Sequence, residues 1–375
     1  MSETNPNYRP PMIVPAIHAY YHAPPLWIGT RPTEEEIKTA PESNFIREVY
    51  RTQLTQGIKV RVRRDGLFVF DCSNWEPGQT TEIPEFEAIG GQPIPKGVSD
   101  AEDLAKQRTY MRFQLLTVHL ACLGTVLHGV RQVLPPHPSS MLSLFHFEQN
   151  GLLNILNSLD PGKSYIYNHI ALFQFDPAYR PPNQFHRIEV SAEKIEQSFN
   201  LLQQVLNSSS PDILGLIEII YKSVYNYTCH QFSEALILCW TVCESLLNKT
   251  WSEYVAAKRV EPNPAGMPNG ATRINVDRKK RLEGFDFTAS ITSEILELSG
   301  LIPYDLFCQL NAIRKARNDW MHSLKDVSMM DATEAIKTTF DFLFRVTGIK
   351  LSLQIGLEYP FWIKKEDLAK VQAFL

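Results

Sequence analysis

The densest run of chemically capable side chains lies late in the chain, in FCQLNAIRKARNDWMH, residues 307–322. Arg317, Asn318 and His322 fall close together there. They supply a guanidinium that can neutralise a crowded phosphate, an amide that can orient a neighbour, and an imidazole that exchanges protons near neutral pH. That set is what phosphodiester cleavage without a metal requires. Phe307, Leu310 and Ile313, then Ala316 and Arg317, keep a three-to-four spacing, so the segment reads as an amphipathic helix whose C-terminal end turns polar. Five steps of about 100° separate the Arg317 and His322 side chains by roughly 140°, so a straight helix does not aim both at one phosphate. A local distortion where Asn318 and Asp319 compete for backbone bonds is one way to bring them together. The plainer reading gives Arg317 and Asp319 ordinary helix-end hydrogen bonds, with His322 favouring the C-terminal dipole.

Other chemistries lack their residues. The sequence contains no GxxxxGK[ST], no GxGxxG opening a helix after a strand, no HExxH, no GxSxG and no cysteine–histidine metal spacing. No metal and no cofactor is therefore expected. The cysteines, Cys72, Cys122, Cys229, Cys239, Cys243 and Cys308, form no CxxC pair. Cys239 and Cys243, one turn apart in an apolar run, read as buried thiols. With 37 Lys+Arg against 41 Asp+Glu and a net charge of −4, the chain lacks the basic character of a protein that coats nucleic acid, so any polyanion is met locally.

The elements that must hold the site divide into two regions. Residues 1–45 are rich in proline and aromatics and read as an extended arm without regular structure. Residues 46–190 read as a mixed α/β N-terminal domain. Ile58, Val60 and Val62 alternate with Lys59, Arg61 and Arg63, Asp65-Gly66 supplies a turn and Leu67–Phe70 returns, a hairpin with a cationic face. A proline- and glycine-rich separator, EIPEFEAIGGQPIPKG, precedes a long helix that Asp100 can cap, and Tyr165–Phe175 marks a further strand-rich stretch. From Ser191 the pattern turns helical, with helices expected near 191–206, 211–227, 230–251, 288–299, 303–322 and 331–346, the last opened by an Asp331–Glu334 capping box and closed by Gly348. The polar stretch 256–285 holds Lys258, Arg259, Arg273, Arg278, Lys279, Lys280 and Arg281, diluted by acids, and reads as a solvated loop. Trp240 and Trp320 read as core anchors. The fold class is α+β, with a helical bundle over 191–375. The first residues lack a cationic segment followed by an apolar one, and the most apolar window, 113–130, is interrupted by Gln114, His119 and His128. No membrane partner and a cytoplasmic location are expected.

Arg317-Asn318 followed by His322 resembles the R-polar-x3-H form of the signature of HEPN-domain ribonucleases, and EALILCWTVCESLLNKTW, residues 234–251, resembles the packing helix of the Apea-like HEPN branch. The resemblance covers about residues 195–350 and gives residues 1–190 no counterpart. It implies an all-α HEPN-like bundle and a metal-independent endoribonuclease that uses the 2'-hydroxyl of its RNA substrate, leaving 2',3'-cyclic phosphate and 5'-hydroxyl ends. His322 would then be the general acid/base, Arg317 the stabiliser of the phosphorane and Asn318 a positioning residue. Arg314 and Lys315 would be RNA contacts. Glu244 is either a buried partner that orients Arg317 or a surface carboxylate, and Asp319 is a second candidate for orientation. The family brings the signatures of two protomers into one cleft, so a homodimer with a composite active site is expected. By analogy the role is that of a toxin or of antiviral defence, with an antitoxin or trigger ligand acting on it. The alternative is a catalytically inactive HEPN module serving dimerisation and RNA or protein binding.

Overall fold

A computed structural model of the 375-residue chain describes residues 17–22, 26–31, 47–75, 86–89, 92–95, 98–127, 142–143, 188–210, 212–260, 273–282 and 288–356, with single positions 33, 35, 44 and 284. The protein is α+β: a small antiparallel sheet in the N-terminal part and helices that dominate the C-terminal part. The strand-rich stretch expected at 165–175 lies outside the described residues.

Two compact units, Met1–Gly215 and Leu216–Leu375, make up the chain. In the first, β1 (Ile17–Tyr21), β3 (Glu48–Gln53), β4 (Lys59–Arg63), β5 (Leu67–Asp71) and β8 (Leu142–Ser143) form a five-stranded sheet of order β3-β4-β5-β1-β8. β2 (Leu26–Ile28) pairs in parallel with β9 (Ile188–Val190), Leu26 opposite Ile188. Residues 1–45 are thus not without regular structure: β1 lies inside the sheet, between β5 and β8. Its alternating His18, Tyr20 and His22 hide the hydrophobic period that marks most strands, although all three are buried. The supposed separator after β5 likewise holds a hairpin of β6 (Phe86–Ile89) and β7 (Gln92–Pro95). The cationic hairpin pairs as the alternation implies, Val60 opposite Phe70 and Val62 opposite Phe68, with these four side chains fully buried. Gly66 turns it at φ +82°, where a Cβ would come within 2.8 Å of the Leu26 carbonyl oxygen, so only glycine fits.

Helix α1 (Val98–Val126) starts before the expected cap, and α2 (Ala192–Leu206), capped by Ser191, packs on it. Their contact centres on His119 of α1, which is fully buried. Tyr20 stands 2.5 Å from its Nδ1, Ser198 Oγ lies 3.4 Å from its Nε2, and the Phe199 ring stacks on it at 4.3 Å. Ser198 already donates to the Ile195 carbonyl, which leaves its oxygen to accept. The network therefore assigns a neutral imidazole that accepts from Tyr20 at Nδ1 and donates to Ser198 from Nε2. α2 belongs to this first unit, so the division between units falls one helix later than the change of sequence pattern at 190.

The second unit is a helical bundle. α3 (Ile213–Thr228) leads into it, followed by α4 (Phe232–Val260), α5 (Val276–Leu282), α6 (Ala289–Leu298), α7 (Tyr304–Ser323) and α8 (Met329–Thr347). α4 is the spine and packs on α6, α7 and α8. Its buried stripe runs through Ala235, Leu236, Cys239, Val242, Cys243, Leu246 and Leu247. Cys239 lies 2.9 Å from Ser223 Oγ of α3, and Cys243 lies 3.4 Å from Thr339 Oγ1 of α8. Both thiols are buried and free. Trp240 is core; Trp320 is half-buried. The box that opens α8 is Ser328 with Asp331, three residues before the expected pair: Ser328 accepts from the Asp331 amide at 3.1 Å and Asp331 accepts from the Ser328 amide at 3.2 Å. Gly348 closes α8 at φ +74°. The polar stretch is not wholly a loop, since residues 256–260 extend α4 and α5 follows.

Burial lowers His119 from 6.5 to about 3 and His18 to about 4, the latter helped by nearby Arg112. Both folded values lie below the unfolded one, so the unfolded chain takes up these protons first. Their contribution to stability is complete above pH 6.5 and is lost as pH falls towards the folded values. Urea midpoints measured between about pH 7 and pH 5 should fall, each histidine adding at most about 1.4 kcal/mol per pH unit. His119→Phe should flatten that dependence; an unchanged pH slope in a folded variant would contradict the assignment.

Candidate functional site

Leu306, Leu310 and Ile313 bury one face of α7 against the bundle. The stripe passes through Leu306; Phe307 is only half-buried. Continued at the same three-to-four spacing, that stripe reaches Arg317, which is half-buried. Its Nη1 donates to Asn318 Oδ1 at 2.9 Å. A guanidinium thus occupies the position where the pattern calls for an apolar side chain, and the adjacent amide holds it.

α7 remains regular through Ser323, the Leu324 amide still donates to the Trp320 carbonyl at 2.9 Å, and the left-handed φ of 51° at Leu324 then turns the chain out of the helix. No distortion intervenes at Asn318 or Asp319. The angular separation of Arg317 and His322 therefore keeps its helical value of roughly 140°. His322 is exposed in the last turn. Arg317 and Asn318 are brought together; Arg317 and His322 of one chain are not.

The remaining candidates occupy the outer faces. Arg314 donates to Asn311 Oδ1 from Nη2 at 3.2 Å, and Lys315 is exposed. Asp319 lies 3.8 Å from Lys325 Nζ, just past the helix end, rather than against Arg317. Glu244 is exposed on α4, the surface placement of its two alternatives, and no hydrogen bond or ion pair between it and Arg317 occurs among the described residues. Near His322 in the chain, Met321, Leu324, Met329 and Met330 are 46–77% exposed, interleaved with exposed Ser323, Lys325 and Asp326. These exposed apolar side chains were not read from the sequence, where single methionines in polar surroundings carry no period.

No group of three or more histidine, cysteine or acidic side chains is placed to hold a metal among the described residues, and no described helix is long and apolar enough to cross a membrane. No family model, curated protein or solved structure matches the chain.

Because Arg317 stands on a core stripe, Arg317→Leu should leave the fold intact and raise stability by about 0.5–1 kcal/mol, as extra apolar area is covered. Chemical denaturation measures this. A loss of stability would make Arg317 a structural side chain.

Proposed function

We propose that the protein is a metal-independent HEPN-type endoribonuclease acting in the cytoplasm, whose active site combines Arg317 and Asn318 of one protomer with His322 of a second copy. The observation that carries this reading is the placement of Arg317: a charged side chain kept on a core stripe, half-open to solvent, with an amide holding its guanidinium. Natural chains break their own patterning chiefly where function demands it. The exposed Met321, Leu324, Met329 and Met330 at the end of α7 and the start of α8 give a second copy apolar area to cover.

On this reading the Arg317 guanidinium neutralises the phosphate as negative charge develops on it. His322 exchanges a proton with the 2'-hydroxyl or the leaving 5'-oxygen, which closes a 2',3'-cyclic phosphate and frees a 5'-hydroxyl. Arg314 and Lys315 hold neighbouring phosphates. The cellular role is that of a toxin or an antiviral nuclease, restrained by an antitoxin or released by a trigger ligand.

Wild type should cut end-labelled mixed-sequence RNA in EDTA and leave cyclic phosphate ends, while Arg317→Ala and His322→Ala should each lose at least 100-fold, about the lower range for a general acid/base. Mixing the two inactive variants should restore about a quarter of wild-type activity, since half the dimers pair one of each and hold one complete site of two. Activity without restoration would retain the nuclease and place both residues in one chain's site. Absence of cutting by folded wild type, together with no growth inhibition in cells, would leave an inactive module.

A further inference from the structure

Far from Arg317 the bundle carries a second chemically distinctive feature, the short helix α5. Arg273, Arg278, Lys279, Lys280 and Arg281 stand there against two acids in residues 273–284, Asp277 and Glu283. No side chain of α5 is buried, and the consecutive cations 278–281, at about 100° per step, project all round its axis. Crowding like charges in this way opposes folding. The segment is nevertheless fastened at both ends. Ile274 is 5% exposed, Asn275 Oδ1 accepts from the Arg278 amide at 2.8 Å, and the Trp251 indole of α4 donates to the Leu282 carbonyl at 2.7 Å. Lys258 and Arg259 add two more cations to α4 two turns beyond Trp251. A solvated loop needs no such anchors, and in a chain of net charge −4 the concentration is local rather than a reflection of overall basicity.

Contacts within the unit fix where α5 lies relative to the candidate site. Thr333, near the start of α8, donates to the Tyr227 hydroxyl at 2.9 Å, which puts the α3–α4 turn beside the start of α8 and so beside the end of α7. Further along both helices, Cys243 of α4 meets Thr339 of α8. Tyr254 approaches Ser299, just before α7 begins, at 3.5 Å. α4 therefore runs from the His322 end of the bundle to the opposite end, where Trp251 holds α5. From Phe232 to Trp251 that is about 28 Å at 1.5 Å per residue. This exceeds a Debye length of about 8 Å in physiological salt, so α5 cannot act on the chemistry at Arg317 through its field.

We propose that α5 with Arg273 is a phosphate-backbone contact surface for single-stranded RNA, an exosite that holds a long substrate while cleavage occurs at the other end of the bundle. The choice of RNA rests on the ribonuclease reading above. Four exposed cations on an anchored helix, with Arg273 beside them and accepting at its carbonyl from the Arg278 guanidinium at 3.1 Å, suit a backbone read without sequence preference. Because the two sites connect only through a shared strand, α5 lowers KM for long RNA and leaves kcat, and the cleavage of fragments too short to span both sites, unaltered.

The test uses the full chain carrying His322→Ala, so that bound RNA stays intact, and fluorescence anisotropy of a labelled single-stranded RNA in EDTA at several salt concentrations. Replacing Arg278, Lys279, Lys280 and Arg281 together by Gln should weaken binding at least tenfold and reduce the salt slope by roughly 0.7 for each phosphate that is no longer neutralised. Trp251→Phe keeps every cation and the aromatic ring but removes the anchor, and should weaken binding in the same direction. In the wild-type background the quadruple variant should raise KM for long RNA at unchanged kcat. Equal affinity and equal salt slope in a folded quadruple variant overturn the exosite and leave the nuclease untouched. RNA bound through α5 by a chain that never cuts it supports the surface and overturns the nuclease.

Discussion

The unbroken register of α7 is the constraint on which the functional reading depends. A regular helix has one freedom once its apolar stripe is seated, and Leu306, Leu310 and Ile313 remove it by burying against the bundle. Every later side chain then points where the period sends it. Arg317 falls on the buried stripe and His322 on the far side, and the left-handed Leu324 ends the helix only after both are placed. Packing of three aliphatic residues upstream thereby dictates that this chain presents a guanidinium and an imidazole in different directions. On the proposed reading, the site draws them from two copies of the chain.

α4 sets the scale of the bundle. Its long buried stripe meets α8 at Cys243 and Thr339 and α3 at Cys239 and Ser223, and its length separates the His322 end from the end that holds α5. Two charged features on one rigid helical body, too far apart to feel each other through screened solvent, cooperate only through a ligand that touches both. A polymer does this where a small molecule cannot.

The parts legible in the sequence were those with a strong period or a strong stop. The helices of the bundle stand within a few residues of their expected places because apolar spacing, Ser191 and Gly348 mark them, and the β4–β5 hairpin follows from alternation around Asp65-Gly66. β1 was illegible because its inward face is His18, Tyr20 and His22, polar types whose burial depends on α1, far away in sequence. α5 was illegible for a related reason: nothing in VDRKKRL reports that Trp251, 31 residues earlier, bonds to its last carbonyl. At the candidate site the residue types and the 140° problem were both readable. That Arg317 continues the stripe was readable too; the structure corrects only its start, where Leu306 rather than Phe307 is the buried position.

Two polar residues at apolar positions, His119 and Arg317, separate a structural role from a functional one. His119 is sealed, and each ring nitrogen has a partner contributed by a different element, Tyr20 from β1 and Ser198 from α2. Such a network adds specificity to a core and leaves nothing for a ligand. Arg317 is half-open, and the side-chain partner that holds it is its own neighbour, Asn318, which orients the guanidinium without ending its access to solvent. A guanidinium has five donors, so one bond to an adjacent amide leaves most of its capacity for a planar oxyanion. Burial with full satisfaction is what a purely structural group shows; partial burial with donors to spare is what the proposed ribonuclease requires of Arg317.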